Sequence, residues 1–410
     1  MTGISCSAAG RSCKGIDKKN KRVRMKGNKV KENMSSKPIT INTERIRQEF
    51  SELTAIDSVS FREREMADCL IGKLKELGFS VKEDKAGEAY GGNAGNVYGF
   101  LKGTLSGEPV LLAAHMDTVQ PGAGKKAVFH ADGKVTSQGE TVLGADDAAG
   151  IVEILEGIRS IQEAGIAHRD IEVLFPIAEE LYDQGTKAFD FSRIKSKEAY
   201  VLDLSGAIGK AALRAPSIIS FGITVQGKAA HAGFEPEKGI HAIALMSSAV
   251  AKIKQGHPDE ETTLNIGTIS GGTMSNIVPE CCSCQGEVRS FSHEKALQSI
   301  EDIRQIFSET LEGTGAQFML ETTINIEAYK IGENEPVVQR FVMACRELDI
   351  SCELVDTFGG SDNNVFVKNG IRGIVLSCGM YQVHSIKEYT MTEDLKRGAE
   401  LVSKLLTMEY

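Results

Sequence analysis

The 410 residues suffice for two or three hydrophobic cores, and a 41% hydrophobic, 25% charged composition is that of an ordinary soluble globular protein. No run of about 18 apolar residues occurs, which excludes a hydrophobic membrane-spanning helix. The net charge of −9 is uneven: residues 1–32 carry ten Lys/Arg against two Asp/Glu, and the acidic remainder argues against a nucleic-acid partner and suits cation binding. The nine cysteines are odd in number and scattered, and no secretory apolar segment opens the chain; free thiols and a cytoplasmic location are expected.

Residues 1–38 are rich in Lys, Ser, Gly and Asn, with almost no large apolar side chains, and are expected to form a disordered basic extension, Met34 being an alternative start. Order begins near Thr40. Asn42 or Thr43 caps a helix to about Leu53. Ser60 and Glu63 fit a capping box for a second helix, in which Met66, Leu70, Leu74 and Leu77 keep helical spacing before Gly78 ends it. Strands follow at 79–84, 95–101 and 109–114, with short ones at 127–130 and 134–137.

The run Val110 to Ala114 reads as a buried strand ending in His115, with Asp117 two residues on. Alternate positions of an extended backbone share a face, so both side chains can enter one cleft at the strand's C-terminal end. The same pattern also suits a polar turn. Gly144-Ala-Asp-Asp-Ala-Ala-Gly150 opens a helix from Ile151 to about Ala164; the two adjacent acids complement its dipole, or Asp146 offers a carboxylate bridge between two metals. A strand at 170–177 leads to Glu179 and Glu180, an exposed acidic turn or a ligand beside a general base. The strand 199–202 ends at Asp203. These acids and His115 converge on one edge of a parallel sheet.

Between 216 and 327 the order changes to strand 217–227, helix 237–254, strands 263–270 and 280–291, helix 292–313 and strand 317–327. This is the β-α-β-β-α-β order of a ferredoxin-like domain, read as an insertion. It presents His231 in the small-residue loop 227–233, Asn276 after Gly271-Gly272, and Arg289 on a strand. Cys281, Cys282 and Cys284 do not match zinc spacings and read as packing thiols. Helix 335–348, strand 351–355, helix 363–369 and strand 372–377 resume the first domain. His384 then follows the last strand, and Thr390 or Thr392 caps a final helix at about 391–407.

The ordered set Ala-His115-Met-Asp117-Thr-Val, Gly144-Ala-Asp146-Asp147, Ala-Glu179-Glu180, Leu-Asp203, His231-Ala-Gly and Val-His384-Ser resembles the di-zinc peptidase family of peptidase T, glutamate carboxypeptidase and succinyl-diaminopimelate desuccinylase. Gly-Gly-Ser361-Asp-Asn-Asn and Val-His-Ser-x-x-Glu are closest to its peptidase T-like branch, and the likeness runs over residues 40–410. The resemblance implies an α/β catalytic domain (39–215 and 328–410) with a mixed or parallel sheet and an inserted ferredoxin-like lid (216–327) that carries a homodimer contact. It implies two Zn²⁺ per chain, with Co²⁺ or Mn²⁺ possible. Asp146 would bridge them, His115 and Asp203 would complete one site, and Glu180 and His384 the other. Asp117 would orient His115, Glu179 would act as general base on a metal-bridging water, and His231 would stabilise the oxyanion, in dimers reaching the neighbouring subunit's site. Asn276 and Arg289 would bind substrate oxygens. The implied activity is cleavage of short peptides as a tripeptide aminopeptidase, the alternative being an N-acyl amino acid deacylase or desuccinylase. Three departures stand out: Ala148 where the family often has Lys, Leu181-Tyr182-Asp183 where it often runs Ile-Gly, and Leu204-Ser205 after Asp203. The second reshapes the pocket wall and bears on substrate choice.

Overall fold

A computed structural model describes residues 38–408; the rest of the expected basic extension lies outside the described residues. A nine-stranded mixed sheet carries the catalytic part. Its centre is four parallel strands in the order Ile171–Phe175, Val110–Ala113, Glu198–Leu204 and Arg372–Ser377. Antiparallel neighbours flank them: Val97–Leu101 and Ser80–Glu83 on one side, Lys210–Ala215 on the other. The central strands are covered on both faces, which is why they are apolar throughout rather than alternating. Val110 and Leu112 enter one core with Phe50, Ile154 and Leu405. Leu111 and Ala113 point the other way, onto Phe189 and Phe366.

The first of these faces is covered by helices Thr43–Thr54, Ala145–Ala164 and Thr392–Thr407. Asn42 caps the first, its Oδ1 accepting from the Arg45 amide at 3.1 Å. Glu156, fully buried on the second, accepts from the Asn42 amide at 2.8 Å, from Arg45 Nε at 2.6 Å and from Ser160 Oγ at 3.0 Å. This carboxylate fixes the first helix of the described chain to the helix that opens at Asp146.

The inserted domain is a five-stranded antiparallel sheet in the order Gly256–Asp259, Thr262–Gly271, Cys281–Ser290, Ser217–Gln226, Gln317–Ile326. Helices Ala242–Val250 and His293–Leu311 cover one face, where Ile219, Phe221, Ile223 and Val225 meet Met246, Ile303 and Phe307. The fold is therefore an α/β domain with an inserted ferredoxin-like domain, to which one edge strand has been added. Cys282 and Cys284 pack in the lid core as expected, whereas Cys281 is exposed; the seven cysteines among the described residues are free. No helix of the described residues is long and apolar enough to cross a membrane.

Several local expectations are corrected. The Ser60/Glu63 capping box does not form before helix Arg64–Glu76. Ser60 Oγ donates to Asp117 Oδ2 at 2.7 Å instead, and Glu63 Oε1 accepts from the amides of Phe61 and Ala178 at 2.7 and 3.1 Å. Both side chains serve the sheet edge rather than the helix. Thr390 and Thr392 do not cap the last helix, whose N-cap is Met391 without a side-chain bond. The helix expected at 237–254 splits into a turn at Pro236–Lys238 and helix Ala242–Val250 capped by His241. Gly239 lies between them in extended backbone, where a Cβ would stand 2.8 Å from Val278. The strands Lys210–Ala215 and Gly256–Asp259 were not expected: the first is Ala-rich and takes its strand form from its sheet partners, and the second is an edge strand containing Pro258.

Replacing Arg45 with Leu leaves Glu156 buried without its principal cation. We expect a loss of about 1–3 kcal/mol in urea unfolding; an unchanged midpoint would remove this pair from the account of stability.

Candidate metal centre and active site

The strand Val110–Ala113 runs out at the C-terminal edge, and Met116 N donates to the Pro176 carbonyl at 2.9 Å, keeping the following turn beside its neighbour strand. This places His115 in the cleft, 2% exposed. Its amide donates to Asp147 Oδ2 at 3.1 Å, and its Nδ1 sits 2.9 Å from the Asp117 carbonyl and 3.4 Å from the Asp117 carboxylate. The ring is held from behind, so Nε2 faces the cluster of acids. There it lies 3.0 Å from Asp146 Oδ1, 3.9 Å from Asp203 Oδ1 and 4.0 Å from Glu179 Oε2.

Asp146 turns its other oxygen to His384, 3.2 Å from Nε2, and that same nitrogen is 3.0 Å from Glu180 Oε1. One carboxylate is thus shared between two imidazoles. Asp146 and Asp147 have non-helical dihedrals, so they precede the regular helix rather than complement its dipole from within. The small residues after them allow a close approach: a Cβ on Gly150 would be 2.4 Å from the Leu202 carbonyl. The helix start is thereby pressed against the strand that carries Asp203, which lies inside Glu198–Leu204 rather than after it.

Two groups of three donors result, His115/Asp146/Asp203 and Asp146/Glu180/His384, each with ligand atoms within 4.8 Å of one another; His115/Glu179/Glu180 forms a third, overlapping set. These carboxylates crowd together out of water. Burial pushes Asp203 and Glu179 well above the ordinary carboxylate range, each raised further by neighbouring acids. Burial also raises Glu180, against the pull of His384. Asp146 goes the other way: burial would raise it, but His115 and His384 hold it below the usual value. His384 is raised to about 10 by Asp146 and Glu180. Burial would lower His115, yet Asp117 and Asp146 carry it well above its ordinary value. A buried set of acids and imidazoles sharing one carboxylate fits divalent cations, which would relieve this repulsion outright.

The site opens into a cavity of about 460 Å³ lined by Asp146, Glu179, Glu180, Asp203, His384 and, from the lid, Arg289. Arg289 donates from Nη1 to the Phe358 carbonyl at 2.9 Å and from Nε to Glu287 at 2.7 Å. Of the ten residues singled out from sequence, the structure brings eight together: Asp146, Glu179, Glu180, Asp203, Arg289 and His384 line this cavity, and His115 and Asp117 pack directly behind them. It does not bring His231 and Asn276 to this cavity. They sit together on the lid, where Ala230–His231 pairs with Ile277–Val278 and Ala232 N donates to the Asn276 carbonyl at 3.0 Å. His231 is exposed and stacks on Phe234 with ring centroids 4.3 Å apart.

Four carboxylates act one layer back, and sequence reasoning gave a role there only to Asp117. That residue does more than face His115: its two oxygens accept from the amides of Glu179 (2.9 Å) and Glu180 (3.2 Å). Glu63 holds the Ala178 amide just before them. Asp147 holds the amides of His115 and Gly150. Glu388 accepts from the amides of Leu143 (2.7 Å), Gly144 (2.9 Å) and Asp146 (2.9 Å), and so fixes the loop that presents the shared carboxylate. The one signal for Glu388 was its place in the Val-His-Ser-x-x-Glu ending.

The fold and this site together define a metal-dependent amide hydrolase. Residues 215–315 match the peptidase dimerisation domain and residues 96–234 match peptidase family M28. An uncharacterised Bacillus subtilis protein, YqjE, is 37% identical over 89% of this chain and 98% of its own length. The aminopeptidase PepT of Bacillus cereus superposes with a TM-score of 0.85 at 36% identity, over 90% of this chain and 98% of that one. A Staphylococcus aureus tripeptidase does so at 0.87 and 30%, with the same coverage. The chain belongs to the M20 family of metallopeptidases, in its peptidase T-like branch.

Two outcomes follow from this geometry. Glu388→Gln replaces one acceptor oxygen with an NH₂ that opposes the backbone amides; metal affinity, read by competition with a chelator, should fall about 10–100-fold with the fold retained. An unchanged affinity would deny Glu388 its positioning role. The second concerns pH. Acids raised in the folded state, and imidazoles raised by pairing with them, favour folding when protonated; that stability is lost as pH climbs through their folded pKa values. The metal-free protein should therefore melt lower at pH 8 than at pH 6. Metal displaces the same protons, so the rise in Tm on adding Zn²⁺ should be larger at pH 8; a smaller rise there would contradict the cluster as described.

Proposed function

We propose that the protein is a two-metal exopeptidase that removes residues from the amino end of short peptides, a peptidase T-like tripeptide aminopeptidase. The observation that carries this reading is the pair of three-donor groups sharing Asp146, beside Glu179, in a cavity that also receives Arg289. The tripeptidase and aminopeptidase superpositions at 30% and 36% identity support the substrate class.

His115, Asp146 and Asp203 would hold one cation, and Asp146, Glu180 and His384 the other; zinc suits the mixed nitrogen and oxygen donors, as do cobalt and manganese. When bound, the pair supplies the Lewis acidity that brings the pKa of water toward about 7. Glu179, buried beside both donor groups, takes the proton of the attacking water and returns it to the leaving amine. Asp117 orients His115 and fixes the backbone from which Glu179 and Glu180 project. Arg289 takes a substrate carboxylate or carbonyl oxygen from the lid side of the cavity.

His231 and Asn276, exposed together on the lid, are assigned to the neighbouring subunit's cavity in a homodimer formed through the lid, where His231 stabilises the oxyanion. The match to a peptidase dimerisation domain over 215–315 supports that assembly. The domain limits consistent with it are 39–215 and 328–410 for the catalytic part and 216–327 for the lid. A cytoplasmic location accords with the seven free thiols.

Glu179→Gln tests the mechanism: turnover should drop about 10²–10⁴-fold while two metals per chain are retained, and undiminished turnover would remove Glu179 from it. Substrate class is tested by a panel of tripeptides against N-acetyl and N-succinyl amino acids. Cleavage of the tripeptides is expected; cleavage of the acyl compounds alone would make the protein a deacylase instead.

A further inference from the structure

The two helices of the lid cover one face of its sheet and leave the other bare. That bare face begins at the metal cavity, where Ile218 and Arg289 stand opposite each other on adjacent strands. The next outward pairs on the same two strands, Ser220 with Glu287 and Gly222 with Gln285, line a second cavity of about 470 Å³. Alternate residues of a strand share a face, so the two cavities follow one another along a single surface. Gly222 lies four residues beyond Ile218, about 13 Å along the strand. A Cβ built on Gly222 meets nothing within 4 Å, so the floor of the second cavity is open.

One side chain of the catalytic domain borders both cavities: Tyr182, from the loop that departs from the family pattern. Its position is imposed from behind. Its backbone is left-handed at φ 62°, and its carbonyl accepts from Lys187 Nζ at 2.6 Å. The next amide, that of Asp183, donates to the Glu179 carbonyl at 2.8 Å. The wall shared by the two cavities is thus tied to the backbone of Glu179.

We infer that the second cavity holds the fourth and fifth residues of a peptide whose first residue is removed at the metal centre. Removal of the first residue leaves only that residue on the amino side of the scissile bond, so a cleft several residues long serves the leaving side. A tripeptide has two residues there, an extended span of about 7 Å, which fills the first cavity and stops short of Gly222. Arg289 does not close the cleft between the cavities. Its Nε donates to Glu287 and its Nη1 to the Phe358 carbonyl, so its charge is already compensated and it suits a passing carbonyl oxygen. The inference rests on the aminopeptidase reading above and extends the substrates of the same site from three residues to five.

The test compares Ala-Ala-Ala-amide with the corresponding pentapeptide amide on the metal-loaded protein. The charged side chains lining the second cavity, Glu287 and Glu321, are acids that would repel a terminal carboxylate, and amidation removes that charge from both peptides. Wild type should cleave the pentapeptide about 3- to 10-fold better in kcat/KM, the gain carried by KM, as expected of binding away from the reacting bond. Gly222→Leu fills the cavity from its floor; Thr323→Trp, at an exposed position of the neighbouring strand, fills it from the side and guards against a misfolded leucine variant. Each should bring the pentapeptide-to-tripeptide ratio to about one or below. A ratio unmoved in a variant that still cleaves the tripeptide overturns the assignment. A wild type that cleaves the pentapeptide no better than the tripeptide also overturns it and leaves the tripeptidase reading standing. Turnover of N-acyl amino acids with neither peptide cleaved overturns that reading and the longer cleft together.

Discussion

The structure depends on one unfavourable juxtaposition: several buried carboxylates gathered around a single shared one, Asp146, between the imidazoles of His115 and His384. Without cations this arrangement opposes folding. Acids at the ends of parallel strands repel one another, and burial strengthens the repulsion. The fold holds them together because each projects from a strand end or loop whose backbone is independently anchored. The apolar sheet beneath, Val110 to Ala113 and its neighbours, supplies the stability that such a cluster removes.

The anchoring is done by a second layer of acids with a different task. Asp117, Asp147, Glu63 and Glu388 aim their oxygens at backbone amides rather than at the cavity. A carboxyl group whose oxygens accept two or three amide hydrogens is a directional clamp. Here it fixes the segments carrying His115, Asp146, Glu179 and Glu180 while adding little that a substrate can reach. The site is anchored on the catalytic side, and the lid contributes Arg289 to the cavity while His231 and Asn276 lie on its short two-stranded ladder.

Much of this was legible before the structure. The parallel core was readable because strands buried on both faces lose their alternation, and the lid because its element order differs from the alternating strands and helices around it. The cluster of acids and imidazoles was readable because its members follow or end apolar strands or open a helix, where side chains meet at a sheet edge. The second layer was largely hidden. Ser60 and Glu63 satisfy a helix-cap pattern in sequence, yet tertiary partners at Asp117 and Ala178 outcompete the local helix amides for them. Glu388 lies about 240 residues from the amides it accepts, a distance no local pattern spans. Lys210–Ala215 has helix-forming composition and becomes a strand because its sheet neighbours complete its hydrogen bonds.

Metal stoichiometry tests the central claim most directly. Elemental analysis of the purified, zinc-equilibrated protein and of Asp146→Ala should give two metals per chain for the first and at most one, weakly held, for the second. Zinc bound at two per chain without Asp146, or absent from the wild type, would contradict a centre built on one shared carboxylate.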